Sequence, residues 1–287
     1  LALIIITTNM PFMLSANEII KSDNNSVAVA ANNEVVGDAL NSKDVPSSLK
    51  YSNLILEGFE KRLYNEETNL NQAVFQNSDG SCTSYIFDEN IKYYDENGEI
   101  KSKDNYITLL PNGNYSNINN DIISEFPISV IDGIDIKYTD YKLNIVPIFD
   151  KISSASKISI NSDSSSASDQ VVYYNVFGEN IHLKYTPLYS GVKEDIVITQ
   201  KTDINEFKFE LETNGLEVVN NQAGSYLSLS QSGKHIINIG NIYIYDSNGK
   251  SAFGELKVEE IVKSERYILT IVVPLEFMNS EDIAYPI

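Results

Sequence analysis

Polar and apolar side chains alternate one for one over most of the chain beyond residue 49. In SCTSYIFD, Cys82, Ser84 and Ile86 fall on one face and Thr83, Tyr85 and Phe87 on the other. GIDIKYTDYKLNIVPIF aligns Ile134, Ile136 and Tyr138, then Leu143 and Ile145. EFKFELETNGLEVV sends Phe207, Phe209 and Leu211 one way and Lys208, Glu210 and Glu212 the other, and NIYIYD and RYILTIVVPLEF follow suit. Such alternation marks strands buried on one face. Asn-Gly and Asp-Gly turns punctuate these runs at NSDGS, DENGE, TNGL and DSNGK, dipeptides that accept the left-handed backbone of tight hairpins. Helical spacing is scarce, and PLEFMNSEDI offers at most one turn. The pattern predicts an all-β protein, antiparallel and β-sandwich-like, with two sheet assemblies in tandem.

The same rhythm settles the stretch NIHLKYTPLYSGVKEDIVITQ, from Asn180 to Gln200. Ile181, Leu183 and Tyr185 share one face and His182, Lys184 and Thr186 the other. Pro187 to Gly191 forms the loop, and Ile196 and Ile198 resume the apolar face. The stretch is predicted to be a hairpin, with His182 on its polar side.

Composition divides the chain further. LALIIITTNMPFML is an apolar run shorter than the ~20 residues of a membrane span. Followed by Ser15 and Ala16, it reads as the back half of a secretory signal peptide, residues 1–16, cleaved after Ala16. AVA at Ala28 to Ala30 fits the cleavage pattern better but lies far beyond the run. The competing reading is an ordinary buried first strand. Residues 17–48 read as a spacer with one short helix near Asn33 to Asn41. KISSASKISINSDSSSASDQ, residues 151–170, is too rich in serine to fold by itself and reads as a linker or long exposed loop. It separates a first β domain, 49–150, from a second, 171–287, cut short at its C-terminal end.

The 287 residues are 42% hydrophobic and carry a net charge of −19. That charge disfavours nucleic acid as a partner, since phosphates are bound by Lys and Arg that displace counterions, and it disfavours an anionic membrane surface. With one cysteine, Cys82, an intramolecular disulfide is impossible, so stability must come from a full-sized core. Abundant Asn, Ile, Tyr and Ser suits an AT-rich genome, and a cysteine-poor exported chain suits a Gram-positive bacterium.

Candidate chemistry is sparse. His182 and His235 are the only histidines, and nothing in the sequence brings Cys82 to either. A thiol in an alternating strand usually packs as a small apolar group. Neither a zinc-ligand cluster nor a phosphate-cradling glycine loop is present. Asp95, Asn97 and Glu99 in DENGE supply three oxygens at calcium-loop spacing, but the twelfth position is Tyr106 where a bidentate Glu belongs. A hairpin turn is the better reading, leaving incidental weak calcium binding open. Eighteen tyrosines and no Trp favour sheet faces over a sugar platform. No catalytic, cofactor-binding or metal residue is assigned, and no cofactor is expected.

Three stretches, in order, resemble a known family. These are NIKYYDENGEIKSKDN from Asn90 to Asn105, preceded by Arg62 and SDGS; VYYNVFGENIHLKYTPLYSGVKEDIVIT with FKFELETNGLEV; and YDSNGKS with EFMNSEDIAYPI. The chain thus resembles the β-rich region that precedes DNRLRE-type and RHS-repeat regions in secreted or wall-associated Gram-positive proteins. Lys92 stands where that family often has His, Ile100 and Phe277 where it often has Trp, and His182 where it has an acidic residue. The resemblance covers about Leu54 to Ile287 apart from the serine-rich insertion. It brings no catalytic or ligand residue, and implies structural roles for Gly191 in the turn and for a cross-strand pairing of Lys193 with Glu194.

The expectation is therefore a non-catalytic structural or interaction module, not an enzyme, at the front of a secreted or wall-associated protein. Its partners would be downstream domains of the same polypeptide and, in second place, cell-wall glycan, with no membrane after signal cleavage. The alternatives are a carbohydrate-binding module for wall or plant glycans and, third, a hydrolase built on two carboxylates in one cleft.

Overall fold

Alternation becomes sheet because a strand that puts every second side chain into a core buries apolar area without stranding its backbone polar groups. Along Glu206–Glu212, Phe207, Phe209 and Leu211 are fully buried while Glu206, Lys208 and Glu212 are exposed. The protein, seen in a computed structural model, is all-β and antiparallel, with a sandwich-like arrangement. The structure describes residues 2–7, 19–21, 59–149, 158–161, 169–220, 226–240 and 242–287. The proposed cleavage after Ala16, the helix near Asn33 to Asn41 and most of the spacer lie outside the described residues.

Two eight-stranded sheets form the main body. In one, the strands run Glu255–Val262, Arg266–Val272, Glu206–Glu212, Tyr141–Ile148, Ile134–Tyr138, Ile122–Phe126, Tyr115–Ser116 and Thr108–Leu109. In the other they run Ile158–Asn161, Gln170–Tyr173, Ile181–Leu188, Gly191–Ile198, Ala2–Thr7, Lys234–Ile239, Leu227–Gln231 and Glu217–Asn220. Ala2–Thr7, in the run read as a leader, is thus a strand lying between Gly191–Ile198 and Lys234–Ile239.

One core joins the two sheets. It draws Ile134, Leu143, Phe207, Phe209 and Leu211 from the first and Leu183, Tyr185, Ile196, Leu229 and Ile237 from the second. The expected domain boundary at 151–170 is corrected by this packing. Tyr141–Ile148, before the serine-rich stretch, pairs directly with Glu206–Glu212, after it, with Ile145 opposite Leu211. Serine-rich composition marks a loop, and Ile158–Asn161 inside it even adds an edge strand against Gln170–Tyr173. A loop interrupts the chain without dividing the core.

A second, smaller core sits under a four-stranded sheet of Ile19–Lys21, Cys82–Ile86, Gln72–Asn77 and Phe59–Arg62. Phe59 stacks on Phe75 at 5.2 Å and 11°, and Tyr85 meets both rings edge-on. Phe87, Ile91 and, from far along the chain, Tyr189 complete the cluster. Two short hairpins, Lys92–Tyr94 with Ile100–Ser102 and Tyr243–Tyr245 with Ser251–Phe253, carry the DENGE and DSNGK turns. Among the described residues, one α-helical turn, Leu275–Met278, accompanies two 3-10 turns at Tyr64–Glu66 and Val130–Asp132.

The hairpin of Ile181–Leu188 and Gly191–Ile198, called the long hairpin below, is tighter than predicted. Its turn is only Tyr189 and Ser190, and Pro187 sits within the strand opposite Val192. The neighbouring strand pairs only as far as Tyr185, so no ladder bond is asked of the missing Pro187 N–H.

Candidate functional site

The long hairpin distributes its charges by strand parity. Lys193 and Asp195, two apart, lie on the outer face with Lys184, which stands opposite Asp195 in register. Asp195 is fully buried, and its two oxygens lie 3.1 Å from Lys184 Nζ and 3.2 Å from Lys193 Nζ. Glu194 points the other way, into the core, opposite Tyr185. The expected pairing of Lys193 with Glu194 is therefore corrected, because adjacent strand residues cannot share a face.

Among the described residues, Glu194 has no cation on its side of the sheet. Tyr185 faces it, Tyr173 stands 6.1 Å from Tyr185 ring to ring, and Phe126 from the opposite sheet stands 5.8 Å from Tyr185. Glu194 Oε1 is buried without a hydrogen-bond partner among the described residues. Desolvation pushes its carboxyl up to about 7, against a smaller opposing pull from the Tyr185 hydroxyl. Burial likewise raises Tyr185 well above its ordinary range. Tyr173 donates its hydroxyl to the Pro127 carbonyl at 2.6 Å.

The residues singled out from sequence remain apart. His182 Nδ1 accepts the Asn175 N–H at 3.0 Å, its ring meets Tyr174 edge-on at 5.0 Å, and burial lowers its pKa. His235 Nδ1 lies 2.6 Å from Ser228 Oγ. Cys82 is half-buried in the small sheet, opposite Gln76. In DENGE, Asp95 Oδ1 accepts the Asn97 and Glu99 N–H groups, both at 2.9 Å, which is the geometry of a turn. No group of three or more metal-ligating side chains occurs among the described residues.

At the tip of the long hairpin the two cores are tied together. Lys103, nearly buried, donates from Nζ to the Tyr189 carbonyl at 2.8 Å and pairs with Asp121 at 2.5 Å. Asn120 Nδ2 donates to the Leu188 carbonyl at 3.1 Å. Burial raises the Glu89 carboxyl, while the Ser190 side chain and Lys103 oppose the shift.

One cleft gathers reactive groups that lie far apart in sequence. It measures about 680 Å³ and is lined by Glu212, Asn214, Gly215, Val262, Glu265 and Arg266. Two turns build it side by side. The Thr213 N–H donates to the Glu265 carbonyl at 2.8 Å and the Gly215 N–H to the Ser264 carbonyl at 2.9 Å. Glu212 stands opposite Arg266 in register, and Arg266 lies 3.8 Å from Glu210. The lining residues are exposed, so the groove is open to solvent, and the Arg266 guanidinium in it can hold an anionic group. Reading TNGL as a turn located one wall of this cleft, but only the pairing of Glu206–Glu212 with Arg266–Val272 brings the other against it.

No family model matches the chain, and no solved structure matches it. Two curated proteins do, the tRNA nuclease WapA of Bacillus subtilis (strain 168) and the tRNA(Glu)-specific nuclease WapA of Bacillus subtilis subsp. natto. Each is 26% identical over 133 residues, which is 44% of this chain and 6% of the relative. The chain thus corresponds to a small part of the length of the relatives it matches. This similarity overturns two expectations, that the protein is a non-catalytic module with glycan binding as the alternative, and that it is not an enzyme. Proteins named as RNA-cleaving enzymes are what this chain is similar to.

Proposed function

We propose that the polypeptide carrying this chain is an RNA-cleaving enzyme acting on tRNA. The observation that carries the proposal is the 26% identity over 133 residues to two tRNA nucleases. The proposal is made for the whole polypeptide, because the match spans 6% of those relatives. The net charge of −19 sets RNA against a repulsive field over these residues as a whole. Within them the cleft at Glu212, Glu265 and Arg266 has the ingredients for transfer at a 2′-hydroxyl, a carboxylate base and a cation for the phosphate.

We extend the proposal to location: the polypeptide is exported, secreted or wall-associated, with further domains following this region. The three resembling stretches support this. Producing the complete polypeptide in a bacterial host and following intact tRNA on a northern blot tests the activity. Depletion of tRNA is expected, and undiminished tRNA in cells holding the folded polypeptide would contradict it. Arg266→Ala in the same polypeptide then asks where the reaction occurs. Abolished cleavage places it in the cleft, and full cleavage places it elsewhere on the polypeptide.

A further inference from the structure

The long hairpin reaches beyond the main sandwich at both its ends. Its tip enters the small core through Tyr189 and is gripped by Lys103 and Asn120. Its base holds the last residue of the chain. The Ile198 and Ile287 backbones exchange both hydrogen bonds, at 3.0 and 2.9 Å, and Ile287 is buried. Between tip and base, the strand Gly191–Ile198 carries a carboxyl into the apolar core.

Glu194 is 4% exposed. On its side of the sheet it meets the Tyr185 hydroxyl, with Tyr173 behind, and Asp132 bears on Tyr173 from the 3-10 turn Val130–Asp132. The strand on its other flank, Ala2–Thr7, contains no ionisable residue. Asp195 is the nearest other charge on its own strand, and with Lys184 and Lys193 it occupies the outer face. An ionised carboxylate in such surroundings is strongly unfavourable, whereas the neutral acid is tolerated. At the tip Glu89 is half-buried beside Ser190, with Lys103 and Asp88 as its charged neighbours.

We propose that the long hairpin is an acid-locked strut: with Glu194 neutral it fastens the small core and the C-terminal segment to the sandwich, and ionisation of Glu194 loosens both. The sign follows from linkage. A carboxyl whose folded-state value is raised from 4.5 to about 7 contributes stability that is fully present below 4.5 and is lost as the pH rises through about 7. Glu89 is shifted in the same direction and reinforces the effect at the tip. The inference is independent of the catalytic proposal, since no step of RNA cleavage enters it.

Amide hydrogen exchange on the whole protein, corrected for the intrinsic effect of pH on exchange, tests the strut. The reporters are the Lys103 amide at the tip, the hairpin amides, and the Ile198 and Ile287 amides at the base. Protection at all three places is expected to fall roughly tenfold or more between about pH 5 and about pH 8. In Glu194→Gln, which keeps the shape and removes the titration, the fall is expected to shrink to the residue owed to Glu89. A wild type with flat protection, a glutamine variant with the full fall, or loss confined to the hairpin centre would overturn the proposal. A carboxyl-carbon NMR titration of the wild type gives a second reading that needs no variant. A Glu194 midpoint near neutrality agrees with the strut, and a midpoint in the ordinary glutamate range overturns it.

Discussion

Asp246 accepts the backbone N–H of Ala284 at 2.9 Å through one carboxylate oxygen while the other closes its own turn. That second oxygen takes the N–H groups of Asn248 and Lys250, both at 2.9 Å. The DSNGK turn and the AYPI ending, the two halves of the third resembling stretch, are thus one structural unit. Ser247 adds two bonds to the same segment, from its N–H to the Ala284 carbonyl and from Oγ to the Tyr285 carbonyl.

Removing the Asp246 carboxylate is expected to free residues 279–287. These amides, Ala284 foremost, hold its pKa below the ordinary 3.8. A depressed carboxylate contributes stability above 3.8 that disappears as the pH falls through its folded value. Thermal melts should therefore show Asp246→Ala less stable than wild type at neutral pH, with the gap narrowing in acid. A gap that is constant with pH would contradict this.

The small sheet depends on a buried charge cluster. Glu67 accepts Arg62 Nε at 2.7 Å, Arg62 Nη2 at 3.1 Å, Lys92 Nζ at 2.6 Å and the Val74 N–H at 3.1 Å. All three charged side chains are at most 5% exposed. Glu67→Ala removes the buried carboxylate that Arg62 and Lys92 share and is expected to cost about 3–5 kcal/mol, measured by urea denaturation. Loss of protection should concentrate in residues 59–103.

Depth in the core sets the cost of losing a ring. Phe75 is fully buried and Phe253 is 67% exposed. Phe75→Ala is expected to lose about 3–5 kcal/mol, and Phe253→Ala to stay within about 0.5 kcal/mol. Equal losses in denaturant melts would mean that the rings of Tyr243 and Phe253, 5.6 Å apart, form part of the load on the fold.

Gly133 admits no side chain. Its φ is +74°, and a Cβ there would lie 2.6 Å from Asn144 Oδ1 and 2.7 Å from Val146 Cγ2. Gly133→Ala should cost about 1–3 kcal/mol and disturb the Asn144 bond to Asp135, with the melting temperature as the measure.

The faces of strands were legible in the sequence, and their partners were not. Period-two alternation correctly put Phe207, Phe209 and Leu211 inward, since parity alone decides the side. It carried no information that Ile145 faces Leu211 across the serine-rich stretch, because pairing depends on a register set in three dimensions. The same gap hid the cleft, whose two carboxylates become neighbours only when Glu212 pairs with Arg266. Parity also contained the answer for Lys193 and Glu194, which a cross-strand pairing had overlooked. Pro187 misled in another way: a proline looks like a loop unless the neighbouring strand is known to stop short of it.

The function rests on whether the polypeptide breaks RNA. Purified complete polypeptide should convert intact tRNA to discrete fragments whose ends map to a defined position. The 287-residue chain assayed beside it would show whether these residues suffice. Intact tRNA after prolonged incubation with folded, complete polypeptide would contradict the account.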